Sequence, residues 1–489
     1  MLTQQKPSTN TLGTISPAVK RMLFGLMLQS AIDLIDDGMF NVAMPSIQMQ
    51  YSLQIEALSI VVAIRTLARV GLMPVYGFIG DRFGKQRTFA VGLSIFVLGS
   101  ILSFLSPSVL WLVIGRVLQG MGGGILPLAM AIISDHFPSE RRGQMLGLWN
   151  SSAPLGVILG PPIGGFLIES FGWKSIFILS GIGSMLALLL IRKFVPTSSD
   201  IQDPDTSADW LGAAGIFTFT TSLLLATTTT GVFPVGSQMN LFFWGFFLLA
   251  TVLLIWNTLT NAGSLINLST LKNRQLILPS IAVTFRMFCI GGTVFLMVLY
   301  LANVLGKNPG VIGLFLIAHS LPIFLFIPVG GLIADRWNSG NVAVLGMLIQ
   351  AAGMFWLTLI DPTNHELLLL PGMFLGGLGA GLSLTPFTKG AVASLGDGQV
   401  GFAAGLFNMI RFAGAAVSAP LLGLILAAGF EQYGGSEAAP EPYQYSFLIL
   451  AGCALVGMGI ASFIPKNDAS RKVNTATHES GDSFHEPTS

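Results

Sequence analysis

The chain of 489 residues is 52% hydrophobic and only 10% charged, with 58 glycines, 35 phenylalanines and a net charge of +1. A soluble domain carries roughly 25% charged residues, so these proportions exclude an ordinary water-soluble fold and describe a protein whose solvent is mostly lipid. The small net charge, without a basic stripe, gives no sign of a nucleic-acid partner, and two cysteines in apolar runs, Cys289 and Cys453, argue against a disulfide framework and against thiolate metal sites.

The first twenty positions are polar, and no small-residue cleavage site follows a short apolar core. This predicts a cytoplasmic tail over 1–20 and a first span that is retained. A span needs about 20 mainly apolar residues. Runs of that length fall at 21–46, 56–80, 88–106, 108–134, 145–168 and 174–194, giving a six-helix bundle over 21–194. The acidic stretch Thr197–Asp209 and two runs at 210–230 and 240–260 make a connecting segment over 195–274. Six more runs, at 275–303, 310–333, 341–360, 366–394, 402–428 and 444–464, form a second bundle over 275–464, followed by a polar tail over 465–489. The predicted fold class is an all-α polytopic membrane protein with fourteen transmembrane helices, two six-helix repeats plus two inserted helices.

Lysines and arginines fall on alternate loops. Sixteen, among them Lys20, Arg82, Arg141, Arg192, Arg274, Arg336 and Arg471, share one side with both termini, against Lys174 and Lys307 on the other. That bias makes the first side cytoplasmic, in a plasma membrane or bacterial inner membrane, with both termini inside.

The first span holds Asp33, Asp36 and Asp37, with Asn41 one turn beyond; the second holds Arg65 and Arg69, and the fourth Arg116. A charge at the centre of a span costs about 2.5–3.5 kcal/mol on insertion scales, so such residues mark either neutralising ion pairs or a working site. The i, i+3 and i, i+4 spacings put Asp33 on a stripe with the other two acids. Counting inward from the outer boundary sets Asp36 level with Arg65, Asp33 level with Arg69, and Arg116 near Asp36 and Asp37. In the second bundle lie Arg286, His319 and Arg411. His319 reads equally as a proton relay or as a packing histidine, and Lys389 as a snorkelling lysine. Three acids against five arginines leave an excess of two positives.

After the second span, Gly77 and Gly84 permit close packing and a tight reversal. Asp81 can accept from the N-terminal amides of a facing helix, while Arg82, Lys85 and Arg87 can pair with carboxylates or lipid phosphates. Gly77-Phe-Ile-Gly-Asp81-Arg82-Phe returns 254 residues later as Gly331-Leu-Ile-Ala-Asp335-Arg336-Trp. The return favours a latch that opens and closes over a plain topological signal. Gly143-x-x-x-Gly147-Leu-Trp-Asn150 likewise returns 258 residues later at Gly401 to Asn408. Transporters built from such repeats bind substrate near the midplane between them. In the fifth span Gly156, Gly160 and Gly164 recur every fourth residue, a spacing that lets helices approach closely, and Pro161 with Pro162 should kink it.

These stretches together resemble the major facilitator superfamily, and within it the fourteen-helix drug:proton antiporter family. The resemblance rests on Gly77 to Arg87, on Gly115-Arg116-x-x-Gln119-Gly120, on Gly156-x-x-x-Gly160-Pro161-Pro162-x-Gly164-Gly165, and on Asp36-x-x-x-x-Asn41-Val-Ala-Met-Pro45. Trp173-Lys-Ser-Ile-Phe177 and the stretch from Leu265 to Arg274 add to it. Arg65 and Arg69 depart from that pattern, which usually has a tyrosine and a small residue there.

The resemblance implies antiport, with the fifth span sealing the outer side, and carries a functional role to Asp36 and Arg116. The expected activity is proton-coupled export of small amphiphilic compounds by alternating access, with protons and the substrate as partners and membrane lipid around it. A metabolite uniporter or symporter of the same fold is the rival. A non-transporting receptor or structural subunit would have no use for midplane charges. No nucleophile–base set, metal spacing or phosphate loop points to an enzyme or a cofactor. Oligomeric state stays open, and a monomer is compatible with the sequence.

Overall fold

The computed structural model describes residues 17–137, 139–195, 210–229, 237–260, 273–359, 361–363, 365–392 and 400–464, and all regular structure among them is helical. In chain order the helices are α1 (Pro17–Tyr51), α2 (Ile55–Phe83), α3 (Lys85–Leu105), α4 (Val109–Gly123), α5 (Leu126–His136), α6 (Ser139–Asn150), α7 (Ser152–Phe171), α8 (Ser175–Phe194), α9 (Trp210–Thr229) and α10 (Gln238–Thr260). They continue as α11 (Arg274–Leu299, prolonged by a π-helical turn Tyr300–Val304), α12 (Pro309–Arg336), α13 (Ser339–Thr358), α14 (Leu369–Val392), α15 (Val400–Gln432) and α16 (Glu441–Ser462). The linker Thr197–Asp209 and both predicted tails fall outside the described residues, apart from Pro17 to Lys20 at the start of α1.

Eleven helical segments among the described residues are long and apolar enough to cross a membrane. α1 and α2 fall outside that set and carry the buried ionised groups described below. Many of the helices turn large apolar side chains outward, Leu98, Phe166, Ile182, Leu248 and Phe355 among them. In water such a surface would be untenable; in a bilayer it faces the solvent it suits, and helices satisfy their own backbone there.

Two predicted spans are each made of two pieces. The run 108–134 breaks between α4 and α5, where Gly122, Gly123 and Gly124 stand in succession. Each glycine costs about 1 kcal/mol against alanine inside a helix, and Pro127 then sits in the first turn of α5, where its missing N–H would be unpaired anyway. The run 145–168 divides at Ser151 between α6 and α7. α1 is longer than expected, running past Pro45 to Tyr51.

The apolar interior has three main parts. One core gathers Met22, Tyr76, Phe89, Ile133 and Trp149, all from α1–α6, with Leu188 and Ile191 of α8. A second gathers Val283, Met347, Phe387 and Phe407 from α11–α15. The largest joins the two sets of helices near the α1–α2 turn, with Phe40, Ile47 and Phe177 against Phe295, Leu316 and Tyr443. The two sets therefore share a core toward one end and keep separate cores toward the other.

Candidate functional site

Asp33, Asp36 and Asp37 meet Arg65 and Arg69 of α2 and Arg116 of α4 in one buried cluster. Asp36 is wholly enclosed. Arg116 Nη1 lies 2.6 Å from its Oδ2, and Ser180 of α8 donates to its Oδ1 at 2.6 Å. Gln119 adds a third donor at 3.2 Å and itself accepts from Arg116 Nη1 at 2.9 Å, while its amide reaches Ser100 at 2.9 Å. Gln119 stands one turn from Arg116 on α4, which is why one acid can engage both.

Arg65 hydrogen-bonds Asp33 and Asp37 and stands 3.4 Å from Asp36. Arg69 bridges Asp33 at 2.9 Å and Asp37 at 3.0 Å through one nitrogen. The expected level pairing thus holds for Asp33 with Arg69 and for Asp36 with Arg116. Arg65 also stands level with Asp36, 3.4 Å away, but its hydrogen bonds go to Asp33 and Asp37, because a guanidinium fork on a long stem reaches across more than one turn. Asp37 alone of the three acids keeps an open edge, its side chain 24% exposed. Asn41, one turn on, is half-buried.

Three acids face three arginines in this cluster, so its formal charge is balanced. Aromatic faces complete the lining: Phe40 under Arg116 at 3.8 Å, Phe96 by Arg65 at 5.5 Å, and Phe412 of α15 by Arg69 at 5.2 Å. Burying such groups costs several kcal/mol per ion, and removing one partner of a buried pair costs about 3–5 kcal/mol because the other is left uncompensated.

Behind the acids, α7 lies against α1 along its glycine stripe. A side chain at Gly156 would meet Ala31 O at 2.5 Å, at Gly160 Ile35 O at 2.8 Å, and at Gly164 the Met39 Cα at 2.6 Å. Gly165 faces the other way, 2.6 Å from Pro309 O of α12 by the same measure. The helix runs on through Pro161 and Pro162 from Ser152 to Phe171, and Pro161 packs against Gly38 of α1.

Arg286 and His319 are buried and Arg411 is half-buried; none of the three pairs with an acid among the described residues. Around the α2–α3 turn, Gly84 has φ +95°, the conformation a tight reversal needs and a side chain resists. Gly77 departs from expectation: a Cβ there would meet nothing within 4 Å, so no close approach depends on it. Arg82 is half-buried and Arg87 exposed. The side chain of Asp81 lies outside the described residues. Asp335 and Arg336 are exposed, and Asp335 pairs with Lys389. Lys389 is therefore an ion-pair partner rather than a lone snorkelling group.

Sequence reasoning did not single out Ser180, Ser100 or Phe40. A serine or phenylalanine in an apolar span carries no charge signal; helix packing brings Ser100 and Ser180 to the acids, while Phe40 stands one turn from Asp36 on α1 itself.

The description of the Major Facilitator Superfamily matches residues 26–285 and 279–487 of this chain. The chain belongs to the major facilitator superfamily. This major facilitator is 26% identical over 415 residues to the multidrug resistance protein Stp of Mycobacterium tuberculosis, covering 84% of this chain and 77% of that one. It is 26% identical to the riboflavin transporter RibZ of Clostridioides difficile, covering 77% of this chain and 81% of that one. Its fold matches the crystal structure of a D-xylose–proton symporter with a TM-score of 0.66 at 14% identity, over 92% of this chain and 98% of that one. The chain is a multi-pass membrane protein of this transporter superfamily.

Proposed function

We propose that the chain is a proton-coupled antiporter of the fourteen-helix drug:proton family, exporting small amphiphilic compounds by alternating access. On this reading residues 21–194 and 275–464 are two six-helix repeats, 195–274 inserts two helices, and both termini face the cytoplasm. The α1–α2 end is then external, and the shared core there makes this conformation inward-facing. The observation that carries the proposal is Asp36, a fully buried carboxylate held by Arg116, with the partly exposed Asp37 beside it. The Stp resemblance supports efflux of drug-like compounds. The RibZ resemblance keeps a metabolite cargo of the same fold in play.

The arrangement suits coupling for an electrostatic reason. A proton taken up by the acid cluster leaves an arginine without its full complement, a change on the scale of about 3–5 kcal/mol for a broken buried pair. Since about 1.4 kcal/mol is a factor of ten, that is enough to tip an equilibrium between inward- and outward-open states by orders of magnitude. Asp37, reachable from the space between the halves, passes the proton to or from Asp36. The stripe of α7 seals the outer side, and the Asp81–Arg82 and Asp335–Arg336 turns act as latches on the inner side.

The test is Asp36→Asn in proteoliposomes. Asn keeps the shape and loses the titrating group, so efflux driven by a pH gradient should vanish while gradient-independent substrate exchange persists. Normal gradient-driven efflux in this variant would place coupling elsewhere.

A further inference from the structure

The excess positive charge is confined to the second set of helices. The first set balances three acids with three arginines. In the second, Arg286 of α11 is 1% exposed and donates through Nε to Ala380 O of α14 at 2.6 Å, while its Nη1 has no hydrogen-bond partner. His319 of α12, also 1% exposed, engages Met373 O through Nδ1 at 3.2 Å and leaves Nε2 without a partner. Arg411 of α15 makes a 3.5 Å contact with Asn408, and its Nε has no partner. Thr284 Oγ1 donates to Ile410 O at 2.9 Å, which ties the turn of α15 bearing Arg411 to the turn of α11 bearing Arg286. Arg286 lies within electrostatic range of both His319 and Arg411.

His319 stands 254 residues after Arg65, the offset that also relates Asp335 to Asp81. At the matching place the first set surrounds Arg65 with carboxylates, whereas in the second His319 has no carboxylate partner among the described residues and lies within electrostatic range of Arg286. A buried guanidinium left without an anion is costly, and this one has an unfilled donor. The Phe412 ring has two guanidinium groups near it, one from each set of helices, Arg69 at 5.2 Å and Arg411 at 4.9 Å from its centre.

We propose that Arg411, with Arg286 behind it, forms a subsite for an oxyanion, a carboxylate or phosphate, on an amphiphilic ligand whose ring or chain lies against Phe412. The inference rests on the export reading and gives the cargo its charge class. Arg411 is the accessible edge; Arg286 supplies the unpartnered donor and the charge that repels cations.

The test is thermal unfolding of the purified protein in neutral detergent, at fixed pH and without a gradient. The probes are 2-naphthoate and 2-naphthamide, which differ only in the charged group; a ligand that binds the folded state raises the midpoint. Naphthoate should raise it and naphthamide should not, with apparent affinity for naphthoate falling tenfold or more in Arg411→Gln and recovering in part in Arg411→Lys. Arg286→Gln should act likewise where it folds; Arg411, being half-buried, keeps the test informative where it does not. A parallel arm adds dioleoylphosphatidylglycerol in place of naphthoate. An Arg411-dependent shift with the lipid and none with naphthoate would assign the same oxyanion subsite to a lipid headgroup. Equal shifts with acid and amide, or naphthoate binding unchanged in Arg411→Gln, would overturn the proposal. Because no proton gradient is present, that result would leave the coupling role of Asp36 standing, and failure of the Asp36→Asn test would leave this one standing.

Discussion

Asp36 accepts from Arg116, Ser180 and Gln119 and has Arg65 at 3.4 Å, so its two oxygens are fully engaged. Of these neighbours Ser180 and Gln119 are uncharged, and Ser180 makes the shorter contact, 2.6 Å against 3.2 Å, so its loss leaves every charge in place. A hydrogen bond to a charged group contributes about 1.5–3 kcal/mol. Ser180→Ala should therefore lower the unfolding midpoint in detergent by an amount within that range of stability. Gradient-driven efflux should be weakened but not abolished, in contrast to Asp36→Asn. A variant as stable and as well coupled as the parent would mean that the 2.6 Å contact carries no weight. Arg116→Lys belongs to the same scale: an ammonium lacks the second nitrogen that stands 4.0 Å from Asp37 and the planar face packed on Phe40, so export should fall several-fold without loss of insertion, as measured by efflux per inserted protein.

α7 shows how one helix can serve two interfaces. Gly156, Gly160 and Gly164 face α1 along the segment that bears the acids, and Gly165 faces the first turn of α12. Close packing of this kind sustains helix association in lipid, where no hydrophobic effect drives it. At Gly164 a new side chain would have to displace the Met39 backbone at 2.6 Å. Gly164→Val should part α7 from α1, and overpacking of this kind costs about 1–3 kcal/mol. On the proposed function the consequence is a proton leak, read as dissipation of a pH gradient across proteoliposomes without substrate. A tight membrane with normal efflux would show that the stripe only packs.

At the scale of the whole molecule, the two sets of helices are tied at the α1–α2 end. Gln48 of α1 donates to Glu437 at 2.9 and 3.0 Å, and Asn303 reaches the same carboxylate at 3.1 Å. The Glu169 carboxylate of α7 accepts from Gly310 N–H at 3.1 Å, in the first turn of α12 where the helix dipole favours an anion. A cleft of about 470 Å³ beside Ser46, Gln48, Lys307 and Glu437 lies among these ties. Such partly buried bonds contribute about 0.5–1.5 kcal/mol each, more to a charged partner, which on the proposed function suits a closure that reopens every cycle. Glu437→Ala should shift the population toward the outward-open state several-fold. The measurement is labelling of Ser46→Cys by an impermeant maleimide from outside, in a background without Cys289 and Cys453; unchanged labelling would remove Glu437 from the closure.

Much of this protein is fixed by local chemistry. Apolar run length dictates membrane helices because lipid cannot satisfy a bare backbone, so helices near the predicted spans follow wherever the chain is described. Charges inside those runs announce a site because burying them is costly, and Asp33, Asp36, Asp37, Arg65, Arg69 and Arg116 do converge. The tight turn at Gly84 was equally legible, since only glycine adopts its φ without strain. The sequence could not tell that Gly122–Gly124 splits a span, because breaks depend on what the neighbouring helices tolerate. Nor could it tell which acid each arginine holds, because a guanidinium on a flexible stem is placed by packing rather than by depth. Ser180 joins the site only through the approach of α8, whereas Phe40, one turn beyond Asp36, could have been found from the spacing. The count of charges also gave an excess of two positives and, with no acid level with Arg286 or Arg411 in the second bundle, where it lies. What tertiary structure alone decided is the pairing: it neutralises three arginines against α1 and leaves Arg286 and Arg411 without an acid among the described residues, because pairing requires contact across helices and the sequence records only their order.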